Sequence, residues 1–177
     1  KAGGAQSGRA VKVQAPGPIT LAAQLELPNG HRAITDPGAV RDLTSSLAEG
    51  MAIHRAEVAR RLGTTVVGQF DEPLLPVALA GRLSGVTTLS PVHPVDAARA
   101  IGLLDECAAA VGGEVLLHCC AADVPWEVLQ RSIITAVSID PAVLDDRGRD
   151  GLGEFVDSGR VAVLGLLPGT AADRAPT

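Results

Sequence analysis

Short aliphatic segments recur along this chain, each followed by a stretch with helical spacing. No other feature narrows the fold as much. Residues 11–14, 64–70, 114–118, 136–139 and 161–166 read as strands, rich in valine, leucine and isoleucine. Between them, residues 36–62, 96–111, 125–132 and 152–158 read as helices. The longest helix sets Val40, Leu43, Leu47, Met51, His54 and Val58 on one face. Asp36 or Thr35 caps it, Pro37 fits its first turn, and Gly63 stops it. Residues 15–18 and 28–30 read as turns, and 78–94 as irregular chain punctuated by Gly81, Gly85, Pro91 and Pro94. The strands are continuously apolar rather than alternating, which predicts a parallel sheet covered on both faces. The class is therefore α/β: either a doubly wound sheet or part of a (β/α)8 barrel. About five strand–helix units are present, where a closed barrel uses eight.

With 177 residues the chain reads as one domain over 11–177, behind a small polar leader at 1–10. Aromatic residues make up 2% and hydrophobic residues 46%, so the core must be aliphatic. A net charge of −5 without a basic run argues against nucleic acid as a partner. No apolar stretch reaches the roughly 18 residues of a membrane span. Three cysteines, two of them adjacent, do not make a secreted disulfide framework, so a reducing cytoplasm is expected. The chain starts at Lys1 and its one methionine is Met51, which predicts a piece of a longer protein. A five-unit piece would leave open sheet edges, so self-association is expected if the barrel is incomplete. No glycine-rich phosphate loop follows any strand.

The polar residues gather at strand ends. Gln69, Asp71 and Glu72 close the second strand, His118 and Cys120 follow the third, and Asp140 ends the fourth. Active sites of barrels and open α/β sheets lie at that edge. His118 and Cys120 are two residues apart, so on extended chain they point the same way and can share a metal. Imidazole with thiolate suits zinc; packing at a strand end is the alternative. Pro73 holds Asp71 and Glu72 out of a helix, so one carboxylate can face the mouth and meet a cationic group. Either could instead cap a helix. Asp140 is a third metal ligand or a cap for the turn begun by Pro141. Cys107, Cys119 and Trp126 read as packing residues, and His31, His54 and His93 as surface or loop residues.

Taken in order, these segments resemble the cobalamin-independent methionine synthase family. Residues 14–21 (QAPGPITL) resemble its GP-[VI]-T turn, and 67–75 (VGQFDEPLL) its Q-x-D-E-P-x-L motif. Residues 117–120 (LHCC) resemble its H-x-C zinc motif, 136–140 (AVSID) its V-S-I-E strand, and 163–168 (VLGLLP) its L-G-[LV]-V strand. The composition looks most like the shorter, single-barrel actinobacterial relatives. The resemblance implies a (β/α)8 barrel of the methionine synthase and uroporphyrinogen decarboxylase type. It implies a methyltransferase in which zinc activates homocysteine or a related thiol. His118, Cys120 and Asp140 would be metal ligands. Asp71 and Gln69 would bind the amino-acid substrate, and Asp71 and Glu72 would be catalytic. Asp140 stands where the family has a ligating glutamate. Gln24 stands near the family's pterin-stacking tryptophan, and residues 168–170 stand where it has a proton-donating histidine. The methyl donor is then methyltetrahydrofolate or a corrinoid. The rival readings are a uroporphyrinogen-decarboxylase-like enzyme and a degenerate barrel piece that binds an amino acid or serves as structure.

Overall fold

The computed structural model of the protein describes residues 10–87 and 91–166. Five parallel strands form one sheet: β1 (Val11–Pro16), β2 (Val66–Asp71), β3 (Val115–His118), β4 (Ala136–Ile139) and β5 (Val161–Leu164). Six α-helices join them: α1 (Pro18–Gln24), α2 (Pro37–Leu62), α3 (Leu75–Leu79), α4 (Ala97–Val111), α5 (Trp126–Arg131) and α6 (Asp146–Asp157). Spatial order equals chain order, β1-β2-β3-β4-β5. A doubly wound sheet reverses its strand order at a switch point, and this sheet has no reversal. Sequential order is that of a barrel wall, and the doubly wound alternative falls.

Side chains alternate across each strand, and the two faces differ. Val13, Phe70, Leu117, Val137 and Ile139 lie on the helix side and are buried. A Cβ on Gly68 would meet Val111 of α4 at 2.8 Å, so glycine lets that helix sit close. The other face carries Lys12, Gln14, Gln69, Asp71, Leu116, His118, Ala136, Ser138, Val161 and Val163. Apart from the buried Gln69 and Leu116 its residues are half-buried or exposed, so this face is less filled than the helix side, against the expectation of a sheet covered on both sides.

Several boundaries also move. The segment 15–18, read as a turn, continues into α1; this seven-residue helix has no side-chain cap of its own. Its cap comes from Glu72, more than fifty residues away, so no local signal marks it. The strand placed at 64–70 starts at Val66, because Gly63 ends α2 in the left-handed conformation and the next two residues turn the chain back. The helix placed at 152–158 begins at Asp146, where Asp145 accepts from the Gly148 N–H at 2.7 Å; its glycines hide it from propensity. The last strand stops at Leu164. A short helix, α3, closes just as the segment read as irregular begins. Residues 1–9 of the leader expected at 1–10 lie outside the described residues.

Candidate active site at the carboxyl edge of the sheet

Strand register sets the site. Asp71 is the Cα partner of His118, and His118 that of Ser138, so three neighbouring strands each give one residue to a single row on the open face. Registered neighbours on adjacent strands lie about 5 Å apart. Gln69 and Gln14 are partners in the row below.

Asp71 is half-buried and held by amides. Gln69 Nε2 donates to its Oδ1 at 2.5 Å, and Gln14 Nε2 approaches its Oδ2 at 3.4 Å. Lys12 Nζ donates to Gln69 Oε1 at 2.7 Å, which fixes that amide with its NH2 toward Asp71. Among the described residues no cation pairs with Asp71. A carboxylate oriented by neutral donors keeps its charge for a cationic ligand. Lys12 and Gln14 went unremarked in the sequence, although the period-two run Val11-Lys12-Val13-Gln14 sets both on the face opposite the core.

Glu72 goes the other way. It is fully buried. Its Oε1 accepts from the Ile19 N–H at 2.8 Å, and its Oε2 accepts from the Thr20 N–H at 2.9 Å and the Thr20 hydroxyl at 2.7 Å. Burial pushes its carboxyl up to about 7, against the pull of those three donors and with a small further push from Asp71. Both oxygens are engaged below the surface, so the carboxylate expected to be catalytic caps α1.

His118 Nδ1 lies 3.2 Å from the Ser138 carbonyl, which also accepts from the Cys119 N–H at 2.9 Å. A carbonyl only accepts, so Nδ1 is the donor, and in the neutral ring Nε2 is the nitrogen left with a lone pair. Metal-binding histidines are oriented in this way. Cys120 is exposed. Cys107 and Cys119 are buried, and burial pushes their thiols up to about 12 and about 11, so neither forms a thiolate near neutral pH. Asp140 Oδ1 accepts from the Ala142 N–H at 2.9 Å and caps the 3-10 turn Pro141–Val143. Among the described residues, no three His, Cys, Asp or Glu side chains converge as a metal-holding group. Trp126 packs against Phe155, ring centroids 5.8 Å apart, and lies over Gly151, so it serves helix packing. His31, His54 and His93 are exposed.

Residues 4–177 match the family described as cobalamin-independent synthase, catalytic domain. The chain belongs to that family. It is a methionine-synthase-type, methyltransferase family, and the match runs through every strand of the sheet and every residue of the row. No curated protein matches the chain. No described helix is long and apolar enough to cross a membrane.

Proposed function

We infer that this chain is the catalytic part of a methyltransferase that methylates the thiol of homocysteine or a close relative, giving methionine or its analogue. The observation that carries this reading is the registered pair Asp71 and His118, in a chain of this family. Asp71, held by two amides and paired with no cation among the described residues, binds the substrate ammonium. Its charge then fixes the amino acid so that the thiol extends along the row toward His118. The five units are read as part of a closed (β/α)8 barrel, whose inner face is the open face described above.

His118 Nε2 and the accessible Cys120 suit zinc as a nitrogen and sulfur pair, and Asp140 at the next strand end is the candidate third donor. Bound zinc would lower the pKa of the substrate thiol, so that the thiolate exists at neutral pH. The thiolate sulfur forms the new S–CH3 bond as the bond from the methyl group to its donor breaks. The donor is methyltetrahydrofolate or a corrinoid. The Ser138 carbonyl holds the His118 ring in the tautomer that ligation needs. A reducing cytoplasm suits the exposed Cys120.

Elemental analysis of the purified protein tests this reading, alongside the His118→Ala and Cys120→Ser variants. Near-stoichiometric zinc, lost in both variants, is the expected result. Zinc content that neither substitution changes, or no zinc at all, would overturn the metal assignment. The rival reading of an amino-acid binder would then stand.

A further inference from the structure

Asp71 and Glu72 are neighbours on extended chain, so anchoring one on the helix side commits the other to the open face. The anchoring is extensive. The Gly17 N–H donates to the Asp71 carbonyl at 2.7 Å, and the Glu72 N–H donates to the His118 carbonyl at 2.8 Å. The peptide between Asp71 and Glu72 is thus pinned on one side to the turn after β1 and on the other to the end of β3. The Glu72 side chain then grips the first turn of α1 through Ile19 and Thr20. The Thr20 hydroxyl also accepts from the Leu74 N–H at 3.3 Å, joining the turn after β1 to the turn after β2. Gly17 completes the clamp. A Cβ there would lie 2.3 Å from Glu72 Oε1, and the contact is side chain against backbone in a fully buried position.

We propose that Glu72 is the positioning residue for amino-acid capture: its clamp on Ile19 and Thr20 fixes the direction in which Asp71 presents its carboxylate. The proposal rests on the reading of Asp71 as the ammonium partner. Glu72 touches no substrate, and its effect is therefore selective. Loosening the clamp misaims a charge meant for the ammonium group and leaves the thiol end of the site alone. Small misplacements at such contacts are costly, and about tenfold in affinity is the expected scale.

The experiment compares L-homocysteine with 4-mercaptobutanoate, the same thiol acid without the amino group. Binding of both is measured by calorimetry for the zinc-loaded wild type and for Glu72→Gln, Thr20→Val and Asp71→Asn. Thr20→Val exchanges the hydroxyl for a methyl group, losing the bonds to Glu72 and Leu74 but keeping the Thr20 N–H bond, and serves as the milder variant should Glu72→Gln fold poorly. In the wild type homocysteine binds more tightly than 4-mercaptobutanoate, and Asp71→Asn abolishes the preference. Glu72→Gln and Thr20→Val are expected to weaken homocysteine about tenfold and leave 4-mercaptobutanoate unchanged. Folded variants that keep the wild-type preference would overturn the proposal, as would equal weakening of both thiols, which marks a purely structural role. A wild type without preference, or with Asp71→Asn unchanged, would instead overturn the reading of Asp71 and take the proposal with it.

Discussion

The same five strands serve two faces that behave differently. Toward the helices, Phe70 and Leu117 are wholly buried and their neighbours are aliphatic. Toward the open side, Gln69 and Leu116 are buried, Asp71, His118 and Ser138 are half-buried, and Val161 and Val163 on the edge strand are exposed. One face is filled to exclude water and holds the sheet on its helices. The other carries charge and hydrogen-bonding groups that a packed core would reject. The polarity of each strand end therefore separates the residues that stabilise from those that act, and Asp71–Glu72 splits between the two within one dipeptide.

The comparison breaks most visibly at Phe70. Phe70→Ala on the helix face should cost about 3–5 kcal/mol in urea unfolding, through lost burial and the cavity left behind. Glu72→Ala should come next, at about 2–4 kcal/mol, because it orphans the Ile19 and Thr20 N–H groups in a dry site. Its titration sharpens the point. The folded carboxyl sits near 7, above its ordinary 4.5, so in that window the folded state holds a proton the unfolded chain has released. The resulting stabilisation is full below about pH 4.5 and lost as pH rises through about 7, a fall of about 3 kcal/mol. Urea midpoints at pH 5 and pH 8 should show that decline in the wild type relative to Glu72→Gln, which lacks the titrating group. On the open face, Asp71→Asn should change stability by no more than about 0.5 kcal/mol while homocysteine affinity falls. An unfolding cost as large as that of Phe70→Ala would erase the distinction. Finally, iodoacetamide should label Cys120 in the native protein and reach Cys107 and Cys119 only on unfolding, as mass spectrometry of the labelled peptides would report.

The sequence made the elements of the sheet legible because their signals are local. Valine-rich runs mark strands, and Asp36 with Gly63 brackets α2. The site was half legible for the same reason: polar residues at the ends of successive apolar strands stand out. What stayed hidden depends on contacts far along the chain. The first helix is capped by Glu72 from the next strand, so its start looks like a turn. The glycines of α6 lower its propensity, yet Gly148 is buried and Gly151 makes room for Trp126. That Glu72 turns to the helix side while Asp71 turns to the open face follows from register and from the close approach at Gly17, neither of which composition carries. Asp140 looks like a ligand and like a cap in sequence, and its bond to Ala142 decides only how its Oδ1 is used.

The row of Asp71, His118 and Ser138 is assembled one residue per strand, each from a separate β/α unit. The members are not independent: Asp71 is held by Gln14 and Gly17 of the preceding unit, and His118 by the Ser138 carbonyl of the following one. Exchange of a single unit by recombination would therefore replace one member of the row and remove part of the support of the next.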